Sequence, residues 1–188
     1  MRQSNTRQSI LEAAYNLFYR RGFSRVSVDE IADLAKVTKR TLYYHFKSKD
    51  ELLASMLDFQ RELAIAHIRK HEKRYSRDAD DVIGILFSEL ARWSKRRGWA
   101  GTGFTRLVME LADLPGHPAR AVALRHKAEV ENWYAELLSK ANVFSPSERA
   151  RELALLLEGA TALILISGDR SYADTAARAA KRLARNVR

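Results

Sequence analysis

The sequence predicts an all-α protein of about nine helices. Only three prolines and eight glycines interrupt the 188 residues, and apolar residues recur at spacings of three and four far more often than at two. The sequence shows no strand-like alternation and no internal repeat. With 46% hydrophobic residues, a chain of this length can bury a sizeable core without cross-links. These observations favour a helical fold over a sheet-based one.

The first helix is expected to begin near Asn5 or Thr6 and to end at Gly22. A glycine tolerates the left-handed conformation of a helix C-terminus, and Phe23 just after it can pack back on the last turn. The apolar stripe of this helix follows the i, i+3, i+4, i+7, i+8 spacing. Its members are Ile10, Ala13, Ala14, Leu17 and Phe18.

Two short helices joined by a short turn come next. Ser27 and Glu30 form a capping box that opens a helix over roughly 28–35. Thr38 then caps a second short helix, which ends near the close of "TLYYH". The segment "SKDE" from Ser48 repeats the capping-box pattern and opens a long fourth helix.

The remaining two thirds of the chain read as five further helices. They are separated by "GWAGTG", "LPGHP", "FSPSE" and "SGDRS", which hold the turn formers and cap residues expected between helices. The predicted spans are 80–97, 104–112, 118–140, 147–167 and 172–185.

Charge and composition narrow the classes of function. The net charge is +10, and residues 1–50 carry ten Lys or Arg against five Asp or Glu, so the basic end favours a polyanionic partner. Without cysteine, disulfides and thiolate metal sites are excluded. The start lacks the apolar region of a secretory signal, and the apolar run "LALLLEGATALILI" is too short to span a bilayer. We expect a cytoplasmic protein with no membrane partner.

The two short helices have the pattern of a helix-turn-helix, whose second helix lies in the DNA major groove. Leu42 and Phe46 are four residues apart and are predicted to face inward. Ile31, Leu34 and Val37 are predicted to join them. The outward side then carries cations, a hydroxyl and rings, which suit phosphates, sugars and base edges; these residues are Lys39, Arg40, Thr41, Tyr43 and Tyr44. The alternative is a solvated charged face beside a small aromatic core.

The run "GFSRVSVDEIADLAKVTKRTLYYHFKSKDELL", Gly22 to Leu53, resembles the N-terminal DNA-binding domain of the TetR family of bacterial transcriptional repressors. The resemblance covers about the first quarter of the chain. It implies a three-helix DNA-binding domain with the helix-turn-helix over residues 1–47. It also implies that residues 48–188 form a helical body that binds an effector and dimerises.

The resemblance also implies roles for individual residues of the module. Those at the phosphate side are Ser27, Thr38, Tyr43, Tyr44, Lys47 and Lys49. Those that read bases are Lys39, Arg40 and Thr41, and His45 falls within the same motif. The family usually has glycine where this chain has Lys36. A non-glycine residue at positive φ costs on the order of 1 kcal/mol, which attraction between Lys36 and a phosphate would offset in part.

The eighth predicted helix is apolar on two sides and therefore needs two partners. One stripe, Leu153, Leu157, Ala160 and Ile164, would face the protomer core. The second would face the same helix of another subunit in a symmetric four-helix contact, aided by the last helix. The predicted interface residues are Leu155, Ala162, Ile166, Tyr172, Ala176, Ala179 and Leu183. The alternative is a helix wholly buried in a monomer.

Polar residues within apolar stripes mark a candidate effector pocket. His126 and Glu89 are the two such positions, although a core residue satisfied by a neighbour gives the same pattern. The predicted walls are Phe87, Trp93, Phe104, Met109, Val130 and Trp133.

The sequence shows no constellation of catalytic residues, so we expect neither an enzyme nor a cofactor. His67 and His71 are four apart, but only Glu72 offers a third ligand, and we expect no metal. The leading hypothesis is a homodimeric, ligand-responsive repressor that binds a palindromic DNA operator and leaves it when a small-molecule effector binds. The alternatives are a constitutive DNA-binding regulator of the same fold, and a helical interaction module whose basic N-terminus binds acidic surfaces.

Overall fold

The computed structural model describes residues 2–71 and 78–185. These residues form helices and connecting turns without a strand, so the predicted all-α class is confirmed. Glu72 lies outside the described residues, as does the side chain of His71. The helices of the described segments are α1 Arg2–Arg21, α2 Val28–Leu34, α3 Lys39–His45, α4 Lys49–His71, α5 Ala79–Trp93, α6 Gly103–Met109, α7 Pro118–Lys140, α8 Pro146–Ser167 and α9 Ser171–Arg185.

Most predicted helix ends agree with the structure to within a residue or two, and three do not. Helix α1 begins at Arg2, earlier than its capping residues predicted. Helix α5 ends at Trp93 instead of residue 97. Beyond it the Lys95 and Arg96 N–H groups bond three residues back, to the Arg92 and Trp93 carbonyls, and Gly98 turns the chain at φ +74. Helix α6 ends at Met109 and is followed by turns instead of a further helical turn.

The chain forms two compact units. One consists of the chain as far as Ala64 together with Thr102–His126, and the other of Ile65–Gly101 and Lys127–Arg188. Helices α4 and α7 each contribute residues to both units. The predicted boundary between residues 47 and 48 separates the DNA-binding function from the effector-binding and dimerisation functions. It does not coincide with the compact units, and it stays a prediction.

The core of the first unit is built on α1, α3 and the start of α4. The predicted α1 stripe is buried apart from the partly buried Leu17, and Leu11 adds to it. Each large side chain removed fully from water contributes about 1.5–3 kcal/mol. The largest residues of this core that are at most 2% exposed are Phe18, Phe46, Ile10, Leu11, Ile31, Leu42, Leu52, Leu53, Met56, Leu57, Leu107 and Leu111.

Two predictions about the first unit have opposite outcomes. Gly22 has φ +87, its N–H bonds to the Phe18 carbonyl at 2.8 Å, and Phe23 packs on Phe18 at 5.4 Å between ring centroids, which confirms the end of α1. The inward placement of Leu34 is wrong, because this residue is 51% exposed. The buried residues of α2 are Ile31 and Ala32, and at 100° per residue Leu34 lies about 60° from Ile31 on the side away from Ala32.

The second unit buries α8 and α9 against α5. Three of the four residues of the first α8 stripe, Leu153, Ala160 and Ile164, are buried, and Leu157 is partly buried. Helix α9 contributes four buried alanines, Ala173, Ala176, Ala180 and Ala184. Small side chains let its backbone approach the neighbouring helices closely. No helix among the described residues is long and apolar enough to cross a membrane.

Candidate DNA-binding interface

Helix α2 begins with the capping box that the sequence predicts. The Glu30 N–H donates to Ser27 Oγ at 3.2 Å, and the Ser27 N–H donates to Glu30 Oε2 at 2.8 Å. The bond from the Ser27 backbone, with those from Arg21 and the Ser27 hydroxyl, lowers the pKa of Glu30 to about 2. Because this pKa lies below the ordinary value of 4.5, the stabilisation is present above pH 4.5 and is lost as the pH falls towards 2.

The turn between α2 and α3 keeps its geometry without a glycine. Lys36 adopts φ +56 in the left-handed region. Its N–H donates to the Asp33 carbonyl at 3.1 Å, and the Val37 N–H donates to the Ala32 carbonyl at 3.0 Å, so the last carbonyls of α2 are satisfied. The exposed Lys36 side chain is available to a phosphate, and the strained backbone costs about 1 kcal/mol.

Lys36→Gly is expected to stabilise the folded protein by about 0.5–1 kcal/mol, because glycine adopts positive φ without strain. The same change removes one cation and should weaken binding to any DNA duplex at low salt. Lys36→Ala is the matched control, since it removes the cation but keeps the strain. Denaturant unfolding and duplex binding in both variants check the prediction, and equal stabilities of the two variants would contradict it.

Helix α3 presents its polar residues outward, on the side opposite two buried side chains. The Thr38 hydroxyl caps the helix by accepting from the Thr41 N–H at 3.1 Å. Leu42 is fully buried, and Phe46 is 1% exposed. The outward side carries Lys39 and Arg40, both exposed, with Tyr43 at 44% and Tyr44 at 73% exposure; Thr41 and His45 are half-buried.

One acidic residue beside α3 was not foreseen from the sequence. Lys39 Nζ lies 3.0 Å from Asp29 Oδ2 of α2, and this hydrogen bond raises the pKa of Lys39. A predicted base-reading cation is therefore paired with a carboxylate in the protein without DNA. The two residues belong to different helices, so no spacing rule within one helix could have revealed the pair.

The two lysines before and within α4 have different surroundings. Lys47 is exposed, and its backbone N–H donates to Glu51 Oε2 at 2.8 Å. The Glu51 N–H donates to Ser48 Oγ at 3.0 Å. The second capping box therefore forms, but the Glu51 carboxylate accepts the N–H of Lys47 instead of that of Ser48. Lys49 Nζ lies 4.2 Å from the centroid of the Phe23 ring, and burial lowers the pKa of its ammonium.

The residues predicted to form an effector pocket fall in both compact units. In the first unit, Phe104 stacks on His126 with ring centroids 3.7 Å apart, and Met109 is 71% exposed, which does not favour a pocket wall. In the second, Phe87 is 2% exposed, and Glu89 Oε1 lies 3.6 Å from Arg92. Trp93, Val130 and Trp133 are half-buried. The shared pocket stays a prediction.

The residues predicted to form a subunit interface are exposed on α8 and buried or half-buried on α9. On α8, Leu155 is 69% exposed, Ile166 is 81% exposed, and Ala162 is also exposed. On α9, Ala176 is only 8% exposed because it packs into the core of its own unit. Tyr172, Ala179 and Leu183 are half-buried.

Comparison with known proteins supports the interpretation of the N-terminal module. A family model described as bacterial regulatory proteins of the tetR family matches residues 10–56. The HTH-type transcriptional regulator TtgR of Pseudomonas putida is 40% identical over 81 residues, which cover 43% of this chain and 37% of TtgR. The chain thus matches less than two fifths of the length of that relative. The HTH-type transcriptional regulator YjdC of Escherichia coli is 22% identical over 182 residues, 97% of this chain and 95% of YjdC.

Solved structures resemble the chain over nearly its whole length. A TetR-family transcriptional regulator from Streptomyces coelicolor is 26% identical with a TM-score of 0.84, covering 98% of this chain and 96% of that one. The reduced form of E. coli NemR has a TM-score of 0.85 at 22% identity over 94% of this chain and 95% of NemR, a likeness of fold alone. The match over residues 10–56 and the likeness of fold thus make this chain similar to the HTH-type transcriptional regulators of the TetR family.

Proposed function

We propose that the protein is a homodimeric repressor that binds a palindromic DNA operator and is released from it by a small-molecule effector. The observation that carries the proposal is the exposed side of α3. Cationic and phenolic side chains there stand over Leu42 and Phe46, which anchor the helix in the core. A helix presented in this way fits the major groove.

The charges and hydroxyls of the module suit the two kinds of contact that duplex binding needs. Arg40 is the residue best placed to read a base, because a guanidinium can donate two hydrogen bonds to a guanine edge. Lys36 and Lys47 are exposed point charges on the segments that flank α3, which suits attraction to phosphates. Tyr44 can donate to a phosphate oxygen.

The outward face of α8 supports dimerisation. Leu155, Ala162 and Ile166 recur at spacings of seven and four and share one side of the helix. Gly159 lies on the same side, and a side chain at its position would meet nothing within 4 Å. An apolar stripe of this kind on the surface of a protomer favours burial against a second copy related by two-fold symmetry.

Release by an effector requires a conformation in which the reading helices no longer fit the operator. A ligand shifts the protein towards such a state only as far as it binds that state better. Helix α4 follows the module directly and contributes residues to both compact units, so it is the element we propose to carry the change. The stacked pair of Phe104 and His126 favours an effector with an aromatic or apolar group.

The DNA part of the proposal is tested by selecting duplexes from a random library with the wild-type protein. We expect a palindrome with half-sites about one helical turn apart. Arg40→Ala should weaken binding to the selected duplex by about 1–3 kcal/mol and relax base preference at one position of each half-site. Lys47→Ala is the control, and it should weaken all duplexes alike and reduce the salt dependence. Selection of no common sequence would refute the proposal.

The effector part is tested by screening small aromatic and apolar compounds against the complex with the selected duplex. We expect at least one compound to raise the midpoint of thermal unfolding of the free protein and to lower its affinity for DNA by about 5- to 150-fold. Linkage requires the duplex to weaken the binding of that compound by the same factor. A compound that binds the protein without this reciprocal effect would not be an effector.

A further inference from the structure

The turn between α1 and α2 is held by a carboxylate from a distant part of the chain. Glu110, which follows the last residue of α6, accepts the Ser24 N–H at 3.1 Å and the Ser24 hydroxyl at 3.2 Å, both on Oε2. The two residues are 86 positions apart in sequence and lie in the same compact unit. The contact therefore joins the end of α6 to the segment that leads into the helix-turn-helix.

Gly22 leaves room for this carboxylate. A Cβ atom at Gly22 would lie 2.5 Å from Glu110 Oε1, closer than carbon and oxygen can approach without a shift of the side chain. The positive φ of +87 is the reason for glycine at this position, and the absence of a side chain there leaves space for the Glu110 carboxylate. The turn is thus shaped to receive the acidic side chain.

A second polar contact lies one turn earlier on α6. The Arg106 guanidinium donates to the Tyr19 carbonyl in the last turn of α1, where the helix leaves carbonyls without an internal partner. His117, after α6, is 7% exposed, and its ring lies edge-on to Phe23 with centroids 5.8 Å apart. Residues from 106 to 117 thus contact the segment 19–24 at three places.

The position of this turn determines where α2 begins. Ser27, the N-cap of α2, is only three residues after Ser24, and Arg21 Nη1 lies 2.5 Å from Glu30 Oε1 in the first turn of α2. A turn that is bonded to α6 therefore gives α2, and α3 packed beside it, a fixed starting point. Preorganisation of this kind raises affinity because less ordering remains to be done on binding.

We propose that Glu110 is a positioning residue for DNA binding, whose carboxylate holds the turn between α1 and α2 so that α3 is presented in the orientation that fits the operator. The inference rests on the proposed operator binding. It does not require an effector, since it concerns DNA binding by the effector-free protein.

If Glu110 acted on DNA binding only through its negative charge, its removal would have the opposite effect from loss of a positioning contact. A carboxylate on a DNA-binding protein repels phosphates, so its loss should strengthen binding to every duplex, most of all at low salt. Loss of a positioning contact should instead weaken binding to the selected duplex and leave a scrambled duplex unaffected. The sign of the change therefore separates the two roles of Glu110.

The experiment compares Glu110→Ala, Glu110→Gln and Asp113→Ala in the full chain. Asp113 is an exposed acid on the same segment, so its variant controls for charge. Affinity is measured for the duplex selected by the wild-type protein and for a scrambled duplex of equal length and composition. We expect Glu110→Ala to lose about tenfold in affinity for the selected duplex and to bind the scrambled one within about twofold of the wild-type protein.

The affinity of Glu110→Gln for the selected duplex should lie between those of the wild type and Glu110→Ala, since its amide oxygen can still accept the Ser24 N–H. Asp113→Ala should bind the selected duplex at least as tightly as the wild type, because it removes a negative charge and leaves the Ser24 contact in place. Equal affinities of the wild type and Glu110→Ala would overturn the inference, as would a gain in affinity for both duplexes. Thermal unfolding checks that the variants are folded at the temperature of the assay. If the wild type itself selected no duplex, the proposed function would fail instead.

Discussion

Ala162→Glu is expected to convert the protein into a monomer and to lower its affinity for the palindromic operator by on the order of a hundredfold or more, because a second half-site adds binding as an intramolecular step. Ala162 is exposed on α8 between Leu155 and Ile166. In the proposed dimer the new carboxylate would be buried without a partner. The cost of burying such a charge is several kcal/mol, far above the few tenths typical of a surface substitution.

The measurement is sedimentation of the variant together with its affinity for the full operator and for a single half-site. Affinity for the half-site should be unchanged, because α3 is untouched. Ala121→Glu provides the control, since Ala121 is an exposed alanine on α7 and is not part of the α8 stripe. An intact dimer in the Ala162→Glu variant would show that this stripe is not the interface.

The sequence predicted the helices well because their signals are local. Periodicity gave α7 its observed bounds, Pro118–Lys140, and the capping residues Ser27 and Thr38 begin α2 and α3 as expected. The helix bounds were less accurate where the end of a helix depends on turn geometry, as at Trp93. The placement of Leu34 was wrong because it lies at the edge of an apolar face, where pattern alone does not tell buried from exposed.

The parts of the candidate site that escaped prediction depend on contacts between elements. Asp29 meets Lys39 because of the angle between α2 and α3, and Glu110 meets Ser24 across 86 positions of sequence. Neither residue stands out in its own segment, since an exposed acid is ordinarily solvated. The outward residues of α3, in contrast, followed from the spacing of Leu42 and Phe46.

The second large effect is expected for Phe46→Ala, which should lower the free energy of unfolding by about 3–5 kcal/mol. Phe46 is 1% exposed and closes α3 as its C-cap. The Arg7 guanidinium lies 5.1 Å from the centroid of its ring, so the ring also anchors α1. Its removal leaves a cavity beneath α3, and operator binding should be lost under any condition in which the first unit unfolds.

The prediction is checked by denaturant unfolding and sedimentation alongside DNA binding. Because the proposed dimer face lies on α8 in the other unit, we expect Phe46→Ala to remain dimeric while operator binding fails. Ala162→Glu should show the opposite combination, a monomer that still binds a single half-site. Tyr44→Ala is the matched control, since this ring is 73% exposed: stability should change by no more than about 0.5 kcal/mol, and affinity for DNA should fall. Full stability in Phe46→Ala would mean that the core beneath α3 is not closed by this ring.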